Sequence, residues 1–301
     1  MVVKGNAKIG SNSIFVGTVA MATMASKSEV KGNDNASADF SSGTANFPIT
    51  HPIDAQGTPA AYVPLVAASL GISTVAFTLF SHMIKSLEPP IPTISMTACR
   101  PGSVESFTFT IGLCCSACLL VMTGFILSWR YPSRKFVARA SFWSGIVAAA
   151  GLAVTSAVPL QPDIMEVLKL PRANRIMTMQ SFVHQSSANI FFLGALLHAI
   201  LYTVHLRSVA KESEVEAGVN QLSLRMKYLT IVLSCCFILS PLLLMMYPQI
   251  IKGSRVTIIA VNQYGAILAL LCFFGTYALD LRGYRIRLEK NPSANKIAKQ
   301  D

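Results

Sequence analysis

Six stretches, residues 62–84, 107–129, 140–160, 183–205, 228–250 and 256–279, each run for 21 to 24 residues without an Asp, Glu, Lys or Arg. At 1.5 Å of rise per residue, about 20 helical residues cross the ~30 Å hydrocarbon core of a bilayer. A soluble protein can bury one such helix, but six in succession leave no polar surface with which to dissolve them. Composition agrees: 52% of the 301 residues are hydrophobic and 13% are charged, against about a quarter charged in soluble domains. In lipid every backbone polar group must be satisfied internally, which a helix does within its own segment. The predicted fold class is therefore all-α, a polytopic membrane bundle of six transmembrane helices.

A net charge of +11 raises nucleic acid as a partner, but the positions of the basic residues argue against it. Eighteen of the 25 Lys and Arg lie before the first span, in the second and fourth loops, or in the tail; seven lie in the other three loops. Basic residues beside spans are retained on the cytosolic side, so the alternation predicts that both termini are cytosolic. Arg130, Arg134, Lys135 and Arg139 follow the second span, and Arg282, Arg285, Arg287 and Lys290 follow the sixth. These are the candidate contacts to anionic phospholipids, each worth about 1 kcal/mol beside an anionic leaflet.

Three regions are expected: a disordered cytosolic arm over 1–60, a six-span membrane domain over 61–283 and a basic cytosolic tail over 284–301. Ser, Asn, Gly, Asp and Ala crowd positions 26–46 of the arm, a composition too polar to build a core. A weakly apolar run at 14–25 behind Lys4 and Lys8 has the form of a signal-peptide core. Cleavage there would turn the basic loops outward, so the charge distribution favours an intact arm. Residues 163–170 have the composition of a short interfacial helix. Short connections predict hairpins between spans two and three and between spans five and six. Gly145, Ala149, Ala153 and Ala157 form a stripe of small residues that permits close helix packing, and Pro241 is expected to kink the fifth span. Six of the seven cysteines lie within spans, with Cys99 alone in a loop. The Cys114-Cys115-x-x-Cys118 cluster has no adjacent His or acid, so it reads as packing, and no metal or cofactor is expected.

Polar residues inside spans carry the functional information, because they are costly there and turn toward the bundle interior. His184, His198 and His205 fall on one face of the fourth span. Separations of roughly 21 Å and 10 Å along the axis prevent them from sharing one metal ion. His184-Gln185-Ser186-Ser187-Ala188-Asn189 is a polar run near the non-cytosolic end, and Asn262, Gln263 and Tyr264 lie at similar depth in the sixth span.

The order of features resembles the DRAM/Frag/Sfk family, six-span proteins related to the N-terminal domain of CWH-type GPI-lipid remodelling proteins. The resemblance rests on Pro92-Thr93-Ile94-Ser95-Met96-Thr97-Ala98-Cys99-Arg100-Pro101 and the aromatic Phe107-Thr108-Phe109-Thr110-Ile111-Gly112-Leu113 that follows. It continues with Val183-His184, Ala188 and Phe191-Phe192-Leu193-Gly194-Ala195, and ends with Gln263-Tyr264, together covering residues 62–283. Met96 replaces an acid found in many members, Ala98 a Gly, and Gln263 the acid of the sixth span, so any chemistry those acids perform would be missing here.

The resemblance implies a multi-pass protein of the endomembrane system (ER, Golgi or lysosome) or plasma membrane, acting in lipid organisation, GPI-anchor lipid remodelling or autophagy, with membrane lipids as partners. The leading expectation is a factor without catalysis, whose site is a non-cytosolic mouth built from Pro92, Ser95, Pro101, His184, Gln185, Gln263 and Tyr264, with His198 as its floor. The alternative is an intramembrane lipid-modifying enzyme with His184 as base and Ser95, Ser186 or Ser187 as nucleophile or orienting group. A channel or transporter is disfavoured by the absence of acids at mid-span.

Overall fold

A computed structural model of the chain describes residues 49–50, 58–85, 91–131, 135–161, 178–212, 221–246 and 255–286. Two short strands, β1 (Ile49–Thr50) and β2 (Thr58–Pro59), precede α1 (Tyr62–Lys85), α2 (Ile94–Thr97), α3 (Val104–Arg130), α4 (Phe136–Ala157), α5 (Met179–Glu212), α6 (Gln221–Met246), α7 (Arg255–Gly275), α8 (Tyr277–Asp280) and β3 (Arg285–Ile286). Among the described residues six helices are long and apolar enough to cross a membrane, so the chain is a multi-pass membrane protein.

The spanning helices close into a ring in chain order: α1 packs on α3, α3 on α4, α4 on α5, α5 on α6, α6 on α7, and α7 returns to α1. The expected α3–α4 and α6–α7 hairpins are both present. Residues on the outside of the ring are those a soluble protein would hide. Phe80, Phe107, Trp143, Leu193 and Val232 are each more than half exposed and face where lipid lies.

Between the helices the packing is close and polar. Residues small enough to let backbones meet do the work that apolar burial cannot do in lipid. A Cβ placed on Gly151 of α4 would stand 2.8 Å from the Phe191 backbone nitrogen and 2.9 Å from the Ser187 carbonyl oxygen on α5. The α4–α5 seam therefore runs through Gly151, Ala148 and Thr155; of the expected stripe, Gly145 joins it against His198, Ala149 is buried, the Ala153 carbonyl accepts from Cys114 of α3, and Ala157 is exposed. Thr155 donates to Ser187 Oγ at 2.8 Å, Thr110 to the Ser156 carbonyl at 2.8 Å and Ser116 to the Ala67 carbonyl at 2.8 Å, stitching neighbouring helices together.

Local sequence sets where the helices stop. Ser103, after left-handed Gly102 (φ 76°), caps α3 by accepting from the Ser106 amide at 3.1 Å. Pro159 forces Val158 out of helical geometry (φ −106°, ψ 99°), which ends α4 at Ala157. The helix continues through Pro241 to Met246, whose side-chain surroundings, with residues 163–170 and the signal-like run at 14–25, lie outside the described residues. Two parts of the expected arm and tail are ordered: β3 pairs antiparallel with both β1 and β2, and the Ala60 amide donates to the Tyr284 carbonyl at 2.9 Å.

The uncharged stretches read from the sequence stop one residue short of Lys227 and of Asp280, and these two side chains are buried together inside the bundle. Lys227 Nζ donates to Asp280 Oδ2 (2.8 Å), Ser223 Oγ (2.6 Å) and Thr276 Oγ1 (2.8 Å), which uses all three of its hydrogens. Asp280 also accepts from Ser223 Oγ at 2.6 Å and from the Tyr202 hydroxyl at 3.3 Å. The ammonium lies 5.2 Å from the Tyr277 ring centre and 5.7 Å from that of Tyr202, within cation–π range. At the opposite end Lys85 and Ser81 both bond buried Glu105. A desolvated ion pair stabilises only while both partners remain. Lys227→Met should cost about 3–5 kcal/mol, and the double variant Lys227→Met/Asp280→Leu should recover much of it, as read by thermal unfolding in detergent.

Candidate functional site

The break at Pro159 leaves the Val158 carbonyl without a helical successor to bond it. His184, buried on α5, fills that vacancy with Nδ1 at 2.5 Å, and its Nε2 stands 2.7 Å from Ser95 Oγ in α2. A carbonyl can only accept, so Nδ1 carries the proton; Nε2 of the neutral imidazole is then an acceptor, and the Ser95 hydroxyl donates to it. Three segments, the first loop, the end of α4 and the start of α5, meet at this one imidazole.

Ser95 also faces a cavity of about 400 Å³ bounded by α2, α3, α4, α5, α6 and α7, within the ~300–1,000 Å³ range of small-molecule sites. Phe109, Leu113, Phe192 and Phe237 supply its apolar wall, and Thr155, Gln185, Asn189, Asn262 and Gln263 its polar groups. No charged side chain is among the described residues lining it. Gln185, Asn189 and Leu193 recur every fourth position on α5, line the cavity and are exposed on the outside of the ring. The cavity thus opens sideways, along α5, toward the space that lipid occupies.

Of the residues singled out from the sequence, Ser95, His184, Gln185 and Gln263 come together here. Gln185 Nε2 donates to Asn189 Oδ1 at 3.4 Å, while Asn262 is held by Ser240 (2.6 Å) and the Ile258 carbonyl (3.0 Å). Gln263 is half-buried and makes no side-chain hydrogen bond among the described residues. Pro92 is buried and shapes the loop without lining the cavity, Pro101 is exposed, and Tyr264 packs against the core beside the cavity. Ser187 is turned away: it donates to the His184 carbonyl at 2.9 Å and accepts from Thr155.

His198 is not the floor of this cavity. It lies near the other end of the bundle, with Nδ1 2.7 Å from the Ser141 carbonyl and Nε2 2.5 Å from the Tyr277 hydroxyl. It lines a second cavity of about 370 Å³ with Trp129, Arg139, Trp143, Tyr202 and His205. The separation along α5 places it there, since 14 residues of helix advance about 21 Å. Of the basic candidates, Arg139 lines that cavity and Arg282 is exposed. Arg130 lies over the Tyr284 and Tyr131 rings at 4.0 and 4.7 Å, and Lys135 donates to Ser208 at 3.3 Å. Arg285 belongs to β3, and Arg134, Arg287 and Lys290 lie outside the described residues. Val158 and Thr155 were missed by sequence reasoning, although Pro159, near the end of the third uncharged stretch, was a signal that the helix would stop there and free a carbonyl.

A ring of six spanning helices with a lateral, uncharged, amphipathic cavity beneath a loop that supplies a Ser to a buried His defines a polytopic membrane protein with a candidate site among its spans. The description Frag1/DRAM/Sfk1/Cwh43P N-terminal domain matches residues 59–284, about three quarters of the chain, and the chain belongs to this family. No curated protein sequence and no solved structure gave a match. Because His184 joins three segments, His184→Ala should strand the Val158 carbonyl and Ser95 hydroxyl at a cost of about 1–3 kcal/mol, measurable as a lowered melting temperature, with His184→Gln losing less.

Proposed function

We propose that this chain binds a polar membrane lipid in the lateral cavity, headgroup toward Ser95, His184 and Gln263 and acyl chain along Phe109, Phe192 and Phe237, and acts in lipid organisation or GPI-anchor lipid remodelling. The observation that carries this reading is the side opening along Gln185, Asn189 and Leu193, because an amphiphile can enter there without leaving the bilayer. The lining selects the chemistry. With amides and hydroxyls but no cationic side chain, the cavity suits an uncharged region of a lipid, its ester, amide or hydroxyl groups; a phosphate would be desolvated there without a counter-charge. Effects on autophagy would follow from lipid handling.

The 18-to-7 partition of basic residues supports both termini in the cytosol, which turns the cavity end toward the lumen or exterior. That orientation sets the cavity apart from inner-leaflet phosphoinositides, so it favours a lipid of the lumenal or outer leaflet as the cavity ligand. The basic residues at the opposite end remain the contacts for anionic phospholipids.

Lipid retained through purification tests the site. Ala188 lines the cavity, and Ala188→Trp should plug it, removing co-purified neutral lipid seen by mass spectrometry while the protein stays folded; an unchanged lipid complement in a folded Ala188→Trp protein would sink the reading. Orientation is tested at Cys99, where burial pushes the thiol above its ordinary pKa. An impermeant thiol reagent should label it from the non-cytosolic side only, slowly at neutral pH and faster as pH rises and the thiolate forms.

A further inference from the structure

We infer that the second cavity, at the end of the bundle that carries β3, is a discrete site for one anionic phospholipid, with its phosphate on Arg139 and an acyl chain running inward along Phe125 and Phe142. This rests on reading the basic residues of that end as contacts for anionic phospholipids, and it replaces a diffuse charged surface by one bounded site. It does not depend on the lateral cavity.

Arg139 sets the charge of the ligand. Arg130 is stacked on the Tyr284 and Tyr131 rings, and Lys135 donates to Ser208. Arg139 lines the cavity with no hydrogen bond or ion pair to any described residue. No Asp or Glu is among the described residues lining the cavity, so the guanidinium is left to pair with an anion from outside the protein. Its five N–H donors form a planar fork that matches a phosphate, and phosphate is the anion that a phospholipid presents at the end of a membrane span. A zwitterionic head group would bring a cation as well, for which the cavity holds no acid.

The walls fit a chain that stays in the bilayer. On α3 the lining runs from Gly124 to Tyr131 and on α5 from His198 to His205, seven residues in each case, or about 10 Å along the bundle. Arg139 near the start of α4 stands at the outer end, and Gly124, Phe142 and His198 lie deeper. Polar atoms at the deeper level are already engaged, those of His198 by Ser141 and Tyr277 and the Tyr202 hydroxyl by Asp280, which leaves aromatic and apolar surface for an acyl chain. Phe125, Trp129 and Trp143 are exposed on the outside of the ring, so the cavity opens sideways between α3 and α4. Tryptophan favours the level of lipid head groups, and here two of them stand at the opening.

The chain has two tryptophans, and both line this cavity, so their fluorescence reports its occupant. The test places the full chain in phosphatidylcholine nanodiscs and adds, at the same low mole fraction, either phosphatidylglycerol or phosphatidylcholine with dibrominated acyl chains, which quench tryptophan on contact. Brominated phosphatidylglycerol should quench more strongly and saturate at a single lipid per chain. The preference should outlast about 1 M NaCl, at which charges more than about 3 Å apart are screened. Arg139→Gln should raise the phosphatidylglycerol needed for half-quenching roughly 10–100-fold, and Arg139→Lys should recover part of the loss. Arg207→Gln, an exposed cation of α5 that does not line the cavity, should leave it unchanged. Gly124→Leu, where an added Cβ meets Phe142 no closer than 3.9 Å, should fill the inner end and lower occupancy with Arg139 intact. Equal quenching by the two lipids would overturn the site in favour of ordinary contact with bulk lipid, and equal weakening by Arg139→Gln and Arg207→Gln would reduce it to a diffuse charged surface. Relief of quenching by millimolar glycerol phosphate would identify a soluble phosphate as the occupant and overturn the lipid. Neutral lipid lost from the lateral cavity, which neither tryptophan lines, does not alter this signal, so the two readings fail separately.

Discussion

The close approach of α4 and α5 at Gly151 is the contact on which the rest of the arrangement depends. Helices already in hydrocarbon gain little from hiding apolar surface, so their association needs backbone proximity and hydrogen bonds. At Gly151 no side chain fits between the helix and the Phe191 amide or the Ser187 carbonyl. That proximity brings Thr155 to Ser187 and, one turn further, the Val158 carbonyl to His184. Were α4 to move away by the width of a methyl group, the imidazole would lose its orienting acceptor and Ser95 its partner. The packing seam and the candidate site are therefore one construction.

The two ends of the bundle solve the problem of buried polarity differently. At the end that carries β3, Lys227 and Asp280 saturate each other with help from Ser223, Thr276 and Tyr202. Every donor on the ammonium is used, which suits a structural clasp. At the loop end, Glu105 is engaged by Lys85 and Ser81, while the nearby cavity holds amides and hydroxyls with capacity to spare, Gln263 among them. Spare hydrogen-bonding capacity beside a lateral opening has no stabilising value for the fold. It makes sense where a ligand completes it.

The sequence made the six helices legible because charge-free length is a direct physical requirement for crossing lipid. The mouth was legible in part: Ser95, His184, Gln185 and Gln263 were recognisable as polarity that an apolar bundle does not need. What escaped were features whose meaning lies between elements. Lys227 and Asp280 marked the ends of apolar runs, and a run says nothing about whether its first flanking charge turns inward. Val158 is an ordinary apolar residue whose carbonyl matters only because Pro159 frees it. His198 shares a helical face with His184, and a shared face suggested a shared cavity; the length of α5 separates them.

The two histidines hold their imidazoles alike and differ in the hydroxyl that each one meets. Both present Nδ1 to a backbone carbonyl, that of Ser141 in α4 in one case and of Val158 just past its end in the other, so both have Nε2 as the accepting nitrogen. They differ in what meets that nitrogen. His198 meets the hydroxyl of Tyr277, which is wedged among Tyr202 (ring centres 4.9 Å apart) and Phe273 (5.5 Å) and is itself almost wholly buried. A phenol held in that way is a fixed strut. His184 meets a hydroxyl on a short helix in a loop, half-buried and facing the cavity. The same imidazole geometry ends on a buried phenol at one end and on a cavity-facing hydroxyl at the other. The difference lies in the access of the hydroxyl, not in the histidine.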